Sequence, residues 1–105
     1  MDKNSALTEA VYYILLSLFT PLHGYGIMQK VEEMSDGRVK LAAGTLYGAL
    51  QTMTEKGWIV SLPCDAKSRK KEYLITDSGK AAVTAELKRL QELVANGTMI
   101  CGGKP

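Results

Sequence analysis

The sequence is poor in the residues on which most enzymes and small secreted proteins depend. It has one histidine, His23, and two cysteines, Cys64 and Cys101, among 105 residues. Two isolated cysteines neither build a disulfide scaffold nor supply the paired ligands of a structural zinc site. His23 has no nucleophile or paired carboxylate beside it, so acid–base catalysis has no evident partner. We therefore expect no enzymatic activity, no metal and no cofactor.

Long apolar segments are also missing. No run approaches the roughly 18 residues that suggest a membrane-spanning helix. The first residues do not combine a basic segment, an apolar core and a small-residue cleavage site, as secretory signal peptides do. With 46% hydrophobic residues, the chain can still form one core, although a domain of this size buries only about 60–65% of its unfolded surface. These observations predict one small cytoplasmic domain that is stabilised by association with a second copy.

Charge is unevenly distributed, although the net charge is only +2. Residues 1–36 include two basic and five acidic residues, whereas residues 37–75 include seven basic and three acidic ones. A concentration of lysine and arginine in one part of a domain is typical of a surface that binds phosphate groups. Contacts with nucleic acid are therefore expected in the middle of the chain.

Two helices are expected before residue 37. Apolar residues at helical spacing follow Ser5, which can cap the first helix, and Thr20-Pro21 ends it because proline disrupts the helical hydrogen bonds. A second helix of about eleven residues follows Leu22-His23-Gly24 and ends near Ser35-Asp36-Gly37. His23 then lies at a helix start, where a capping or packing role is expected.

The third helix, at about residues 43–56, is the most informative segment. Leu46, Leu50 and Met53 form one buried stripe, and Gly57 lies where a left-handed residue ends a helix and leads the chain into a strand. A helix with small polar side chains on its outer face can lie in the major groove of DNA, and a following hairpin is typical of winged helix-turn-helix proteins. The same periodicity also fits an ordinary surface helix.

Two strands, at residues 58–63 and 70–75, follow with a basic turn between them. Alternation predicts two faces, with Trp58, Val60 and Leu62 on one and Tyr73 and Ile75 opposite. A lysine-rich hairpin tip suits a wing that approaches DNA, and it equally suits a solvated loop that resists edge pairing. Cys64 is interpreted as a strand thiol in this hairpin, with a redox-sensing or intersubunit role as the alternative.

Thr76 begins a last helix, which Asn96-Gly97 ends. Four of its apolar residues recur at steps of four, three and four: Val83, Leu87, Leu90 and Val94. Such a seam must pack against another surface, because an isolated helix of this length is marginal in water. The expected surface is the same helix of a second copy, and the alternative is the helix's own subunit. The chain is thus divided into a DNA-binding domain at residues 1–75, a dimerisation helix at 76–96 and a flexible tail, including Cys101, at 97–105.

Two short motifs, Leu22-His23-Gly24-Tyr25 and Gly44-Thr45-Leu46-Tyr47, lie at the starts of the second and third predicted helices. Together with Lys56-Gly57-Trp58-Ile59, the basic hairpin and the terminal helix, they resemble the PadR family of bacterial transcriptional regulators. The resemblance covers about residues 5–95. It implies a mostly α fold with a small antiparallel β-hairpin, namely a winged helix-turn-helix with a C-terminal dimerisation helix.

The resemblance also implies a homodimeric repressor that binds double-stranded DNA. The third helix would enter the major groove, and the wing would approach the backbone or the minor groove. The residues that this arrangement places at DNA are Tyr25, Arg38, Lys40, Thr45, Tyr47, Gln51, Lys67, Arg69, Lys70 and Lys71. Lysine and arginine would supply sequence-independent attraction, while Gln51 and Thr45 would read base edges. A winged helix that docks another protein is the alternative function.

Two positions depart from the family's usual pattern. Ala42-Ala43 stands where a capping serine and a proline are common, and Gly48 stands where a larger residue often projects outward, so a less rigid recognition helix is expected. The resemblance further implies a small effector, often aromatic, that binds near the dimer interface and releases the repressor. The terminal helix has no aromatic residue, so an aromatic pocket would need side chains that could equally be packing residues: Tyr12, Tyr13, Phe19 or Trp58.

Overall fold

The computed structural model describes residues 6–63 and 70–102. Within these ranges the elements are α1 (Glu9–Ser17), β1 (Leu22–His23), α2 (Gly24–Met34), α3 (Ala43–Glu55), β2 (Ile59–Ser61), β3 (Glu72–Ile75) and α4 (Asp77–Ile100). The strands form one antiparallel sheet in the order β1-β3-β2. In these two ranges, no helix is both long enough and apolar enough to cross a membrane.

The first two helices are capped by side chains. Thr8 Oγ1 accepts a hydrogen bond from the Val11 amide at 3.1 Å and begins α1. The prediction that Ser5, which lies outside the described residues, caps this helix is therefore wrong. Thr8 has extended backbone immediately before the helix and satisfies a first-turn amide, so an earlier start is not needed. His23 Nδ1 accepts from the Gly26 amide at 3.2 Å, which confirms the capping role expected of His23.

Helix α3 agrees closely with its predicted extent. Leu46, Leu50 and Met53 are each at most 1% exposed. Gly57 has a φ of +78°, so the left-handed turn into β2 is confirmed. Ala42 occupies the cap position and provides no side-chain hydrogen bond, as the unusual start of this helix implied.

Helix α4 begins after Thr76 as predicted but extends beyond its expected end. The sequence predicts a stop at Asn96-Gly97, whereas the helix continues to Ile100, so this boundary is wrong. The Cys101 amide donates to the Gly97 carbonyl at 2.9 Å, which keeps Gly97 within the helical hydrogen-bond pattern. A glycine inside a helix costs about 1 kcal/mol relative to alanine, and that cost weakens a helix without ending it.

The sheet contains one strand that the sequence does not predict. In β1, Leu22 pairs with Tyr73 and His23 pairs with Glu72 of β3. Two residues are too few to produce an alternating apolar pattern, so sequence periodicity cannot detect such a strand. Because α2 begins immediately after His23, this pairing holds the start of α2 against the start of β3.

The two predicted hairpin strands are present but shorter than expected. Ile59 pairs with Ile75, and Ser61 pairs with Tyr73. The side chains of Ile59 and Ile75 are buried, whereas Val60 is exposed. The face that contains Ile59 and Ile75 therefore covers the core, and the face of Val60 is directed to solvent.

The core lies between α1, α2, α3, the sheet and the first part of α4. Val83 of α4 belongs to this cluster and is 6% exposed. The prediction that Val83 is part of an intersubunit seam is therefore corrected, since its side chain packs within its own chain. The alternative in which the terminal helix folds back on its own subunit holds for this part of α4, which contacts α1 and β3. Farther along, Leu87 and Val94 are exposed.

Candidate nucleic-acid interface

The outward face of α3 is a stripe of four residues opposite its buried stripe. Gly44, Gly48, Gln51 and Glu55 recur at steps of four, three and four, and all four are exposed. A Cβ added at either glycine would meet no atom within 4 Å. Gln51 is therefore the neutral polar side chain at the centre of a largely bare surface, and its amide can both donate and accept hydrogen bonds at a base edge. Thr45, also exposed, lies beside this stripe.

A cleft of about 480 Å³ lies where the start of α2 meets α3 and β3. Its lining residues are His23, Gly24, Tyr25, Tyr47, Lys70, Lys71 and Tyr73. Tyr25 is 62% exposed and Tyr47 is 51% exposed, so both phenol rings form part of an open surface. The cleft thus brings together four of the residues predicted to contact DNA, and they come from three separate segments of the sequence.

Three residues of this cleft were not predicted as site residues: His23, which was expected only to cap or pack, Gly24 and Tyr73. Tyr73 lies there because it pairs with Leu22 of β1, and the sequence does not predict that strand. Gly24 is part of the motif that carries the family resemblance, yet a motif does not show which side chain a glycine faces. The one usable signal is that Gly24 directly follows the histidine that caps α2.

Arg38 has a different environment from the one predicted. Its guanidinium hydrogen-bonds both carboxylate oxygens of Glu9, with Nη1 at 3.0 Å from Oε1. The hydrogen bond from Arg38 lowers the pKa of Glu9, and the same interaction raises the pKa of Arg38. The pair joins the segment after α2 to the start of α1. A phosphate contact by Arg38 would therefore require the guanidinium to leave Glu9, whereas Lys40 lies exposed nearby in the sequence.

Three residues named from the sequence, Cys64, Lys67 and Arg69, lie outside the described residues. The described chain stops at Pro63 after β2 and resumes at Lys70 before β3. The role of Lys67 and Arg69 at the tip of the wing stays a prediction.

A second, larger concavity of about 1290 Å³ lies between the start of α1, α3 and α4. Its walls include Val11, Met53, Trp58 and the small side chains of α4, with Lys56 and Glu92 also in the lining. Of the four aromatic residues that an effector pocket would need, Trp58 is the one that lines this groove. The other three lie elsewhere: Tyr12 and Tyr13 pack against the core, and Phe19 lies 5.6 Å from the Lys80 ammonium.

The groove contains an ion pair in which the carboxylate is buried and the guanidinium is partly exposed. Glu86, which is 5% exposed, accepts hydrogen bonds from Arg89 Nε at 2.9 Å and from Nη2 at 2.6 Å. These hydrogen bonds lower the pKa of Glu86, while burial opposes that shift. An almost fully buried carboxylate needs such a partner, because its desolvation is otherwise costly.

This pair makes stability depend on pH. Because the pKa of Glu86 is lower in the folded protein than the roughly 4.3 of an unfolded glutamate, the pair stabilises the fold above that value, and the stabilisation is lost as pH falls through the lowered pKa. We expect Glu86→Gln to reduce the pH dependence of the free energy of unfolding below about pH 5. Urea unfolding at several pH values measures this pH dependence. Glu92→Gln is the control, because Glu92 is exposed on the same helix. Identical pH profiles for wild type and Glu86→Gln would contradict this expectation.

The arrangement of α2, α3 and a following hairpin defines a winged helix-turn-helix protein, the class in which the second helix of the pair reads DNA. The sequence profile of the transcriptional regulator PadR-like family matches residues 13–85. The chain therefore belongs to the PadR family of transcriptional regulators, a family of DNA-binding proteins rather than of enzymes.

Solved structures of PadR family regulators share this fold. One from Clostridium difficile R20291 superposes with a TM-score of 0.76 at 22% identity, covering 90% of this chain and 100% of that chain. Another, from Eggerthella lenta, gives a TM-score of 0.72 at 20% identity, covering 90% and 82%. A curated relative, an uncharacterized 37.1 kDa protein in transposon TN4556 of Streptomyces fradiae, is 33% identical over 73 residues. The match covers 70% of this chain but only 20% of that protein.

Proposed function

We propose that this regulator is a homodimeric repressor. It would bind operator DNA with two neighbouring surfaces, the outward face of α3 and the cleft beside it. The observation that carries the proposal is the convergence of Tyr25, Tyr47, Lys70 and Lys71 around one open cleft. Hydroxyl and ammonium groups around the start of a helix suit a phosphate group, because the helix dipole adds positive potential there.

The cleft is placed to contact the phosphate backbone of DNA, and the exposed stripe of α3 is placed to contact base edges. The cleft is formed at the amino-terminal half of α3, and Gln51 lies about one turn after Tyr47 on the exposed side of that helix. When a helix lies in the major groove, the phosphate backbone borders the groove. A phosphate in the cleft would therefore set the register, and Gln51 would contact base edges within the groove.

Charge contacts and base contacts can be separated by mutation. We expect Lys71→Ala to weaken binding to every duplex and to reduce the slope of log affinity against log salt by about one. Gln51→Ala should instead cost about 1–3 kcal/mol of discrimination between specific and scrambled DNA. The specific duplex is obtained by selection from a random-sequence pool with the wild-type protein, and titrations at several salt concentrations give both quantities.

Lys30→Ala is the matched control, because this exposed lysine of α2 does not line the cleft. An unchanged salt slope in Lys71→Ala, or an equal loss on both duplexes in Gln51→Ala, would contradict the division of roles. If the wild-type protein enriches no duplex at all, DNA binding fails as the function and a protein-docking role replaces it.

The proposed dimer is supported by the second half of α4. Leu93, Val94 and Ile100 are exposed apolar side chains on this half of the helix, and the exposed Leu87 lies just before it. A second copy that covered them would present two α3 helices, and DNA accepts such a pair when they lie about 34–36 Å apart.

The proposed effector site is the groove that Trp58 lines. An apolar wall with one aromatic ring and a few charged groups suits a flat aromatic molecule with a polar substituent. Trp58 is the only tryptophan in the chain, so its fluorescence reports directly on the groove. A ligand that releases DNA without changing that emission would place the effector elsewhere.

A further inference from the structure

Gly24 and Tyr47 make an unusually close approach. Gly24 is buried as the first residue of α2. A Cβ added to it would lie 2.2 Å from Tyr47 Oη and 2.9 Å from Tyr47 Cζ, far inside van der Waals contact. The phenol of Tyr47 therefore lies directly against the backbone at the start of α2.

The backbone conformation does not explain this glycine. Among the described residues, the glycines with positive φ are Gly37, Gly57 and Gly102, and Gly24 is not one of them. Other residues are favoured over glycine within a helix, because glycine loses the most conformational freedom on folding. What a side chain at position 24 would disturb is the Tyr47 ring, because the hydroxyl end of that ring lies where the Cβ would be.

We propose that Gly24 is a positioning residue for DNA binding, which acts by letting Tyr47 lie across the start of α2. The inference rests on the proposed function, because it assigns the contact to the same cleft that would receive a phosphate. Tyr47 contacts the start of α2 and also lines the cleft with Tyr25 and Lys71. The contact fixes the distance between the recognition helix and the other cleft residues.

Helix α3 needs such an external constraint. It has no side-chain cap at Ala42, and Gly44 and Gly48 weaken its amino-terminal half. Leu46 and Leu50 anchor its buried side, whereas Tyr47 holds its half-exposed side against α2. A phenol that is already held in place loses less conformational entropy when it binds a phosphate, so preorganisation increases affinity.

A double-mutant cycle tests the proposal with the duplex selected by wild-type protein. Gly24→Ala displaces the Tyr47 ring, so we expect about tenfold weaker binding in the wild-type background. In a Tyr47→Ala background there is no ring to displace, and the same substitution should then change affinity by less than about twofold. The double variant should therefore bind no more weakly than Tyr47→Ala alone, a non-additivity that independent damage to the fold would not produce.

Gly26→Ala is the matched control, because it adds a methyl group in the same turn of α2. That methyl group would meet Leu22 Cδ2 at 3.2 Å, with no Tyr47 atom among its nearest neighbours, so affinity should stay within about twofold of wild type. Thermal unfolding of all variants establishes which are folded at the assay temperature.

The possible outcomes distinguish failure of the role of Gly24 from failure of the proposed DNA-binding function. If wild-type protein binds the duplex but Gly24→Ala binds it equally well, or loses the same factor with and without Tyr47, Gly24 is not a positioning residue. If wild-type protein retains no duplex, the proposed function fails and the inference fails with it.

Discussion

Gly79→Ala is expected to destabilise the protein by about 3 kcal/mol, at the upper end of what overpacking a well-packed site costs. The added Cβ would lie 2.2 Å from the carbonyl oxygen of Trp58 and 2.6 Å from Ile75 Cγ1. An isoleucine methylene can move with its rotamer, but a backbone oxygen cannot. Relief of the overlap with this oxygen therefore requires the start of α4 to shift away from the turn that follows α3.

Such a shift would break a connected set of hydrogen bonds. The carbonyl of Trp58 accepts from the Thr76 amide at 2.9 Å. Thr76 Oγ1 donates to the Gly57 carbonyl at 2.6 Å and accepts from the Gly79 amide at 3.1 Å. One threonine thus caps α4 and ties it to the left-handed turn that follows α3. Overpacking at Gly79 acts on all of these bonds together.

Urea unfolding measures the effect, and Gly48→Ala provides a control of opposite sign. A methyl group at Gly48 would meet no atom within 4 Å, so this variant should gain about 1 kcal/mol from improved helix propensity. Equal stabilities of Gly79→Ala and wild type would show that α4 can move at no cost. That result would contradict the close packing of α4 on the turn at Gly57.

The fold was largely predictable because its helices carry long, regular apolar patterns. The stripe of Leu46, Leu50 and Met53 fixes the orientation of α3. Gly57 ends this helix and Thr76 caps the next one, and both act through local backbone geometry and hydrogen bonds that the neighbouring sequence determines. Strand β1 was not predictable, because its two residues become a strand only through pairing with β3.

The candidate site was less predictable because it depends on proximity between distant residues. Glu9 and Arg38 are 29 residues apart in sequence, and nothing in the local pattern of either shows that they pair. Val83 illustrates the same limit. The apolar spacing on α4 is regular, yet Val83 packs in the core of its own chain whereas Leu87 and Val94 are exposed. Periodicity shows which face of a helix is apolar, but not whether the chain itself or a second copy covers it.

The second large effect concerns the part of that face that the chain leaves uncovered. We expect Leu87→Glu combined with Val94→Glu to convert the proposed dimer into a folded monomer at micromolar concentration. Both side chains are exposed in the single chain, at 43% and 67%, so the substitutions spare its core. Each apolar side chain buried between subunits contributes about 1.5 kcal/mol or more, and symmetry places every substitution in both copies.

Loss of the dimer should weaken binding to the selected duplex by about 10²- to 10⁴-fold, because the second half-site is no longer held at a high effective concentration. Met99→Glu is the matched control, because Met99 is also apolar and exposed on α4 but lies five residues from Val94, about 140° around the helix axis. Sedimentation velocity gives the oligomeric state, and DNA titration gives the affinity.

A double variant that remains dimeric would place the subunit interface elsewhere. A double variant that becomes monomeric yet keeps wild-type affinity would show that one winged helix suffices, because the charge and base contacts of α3 and its cleft would then carry the whole affinity.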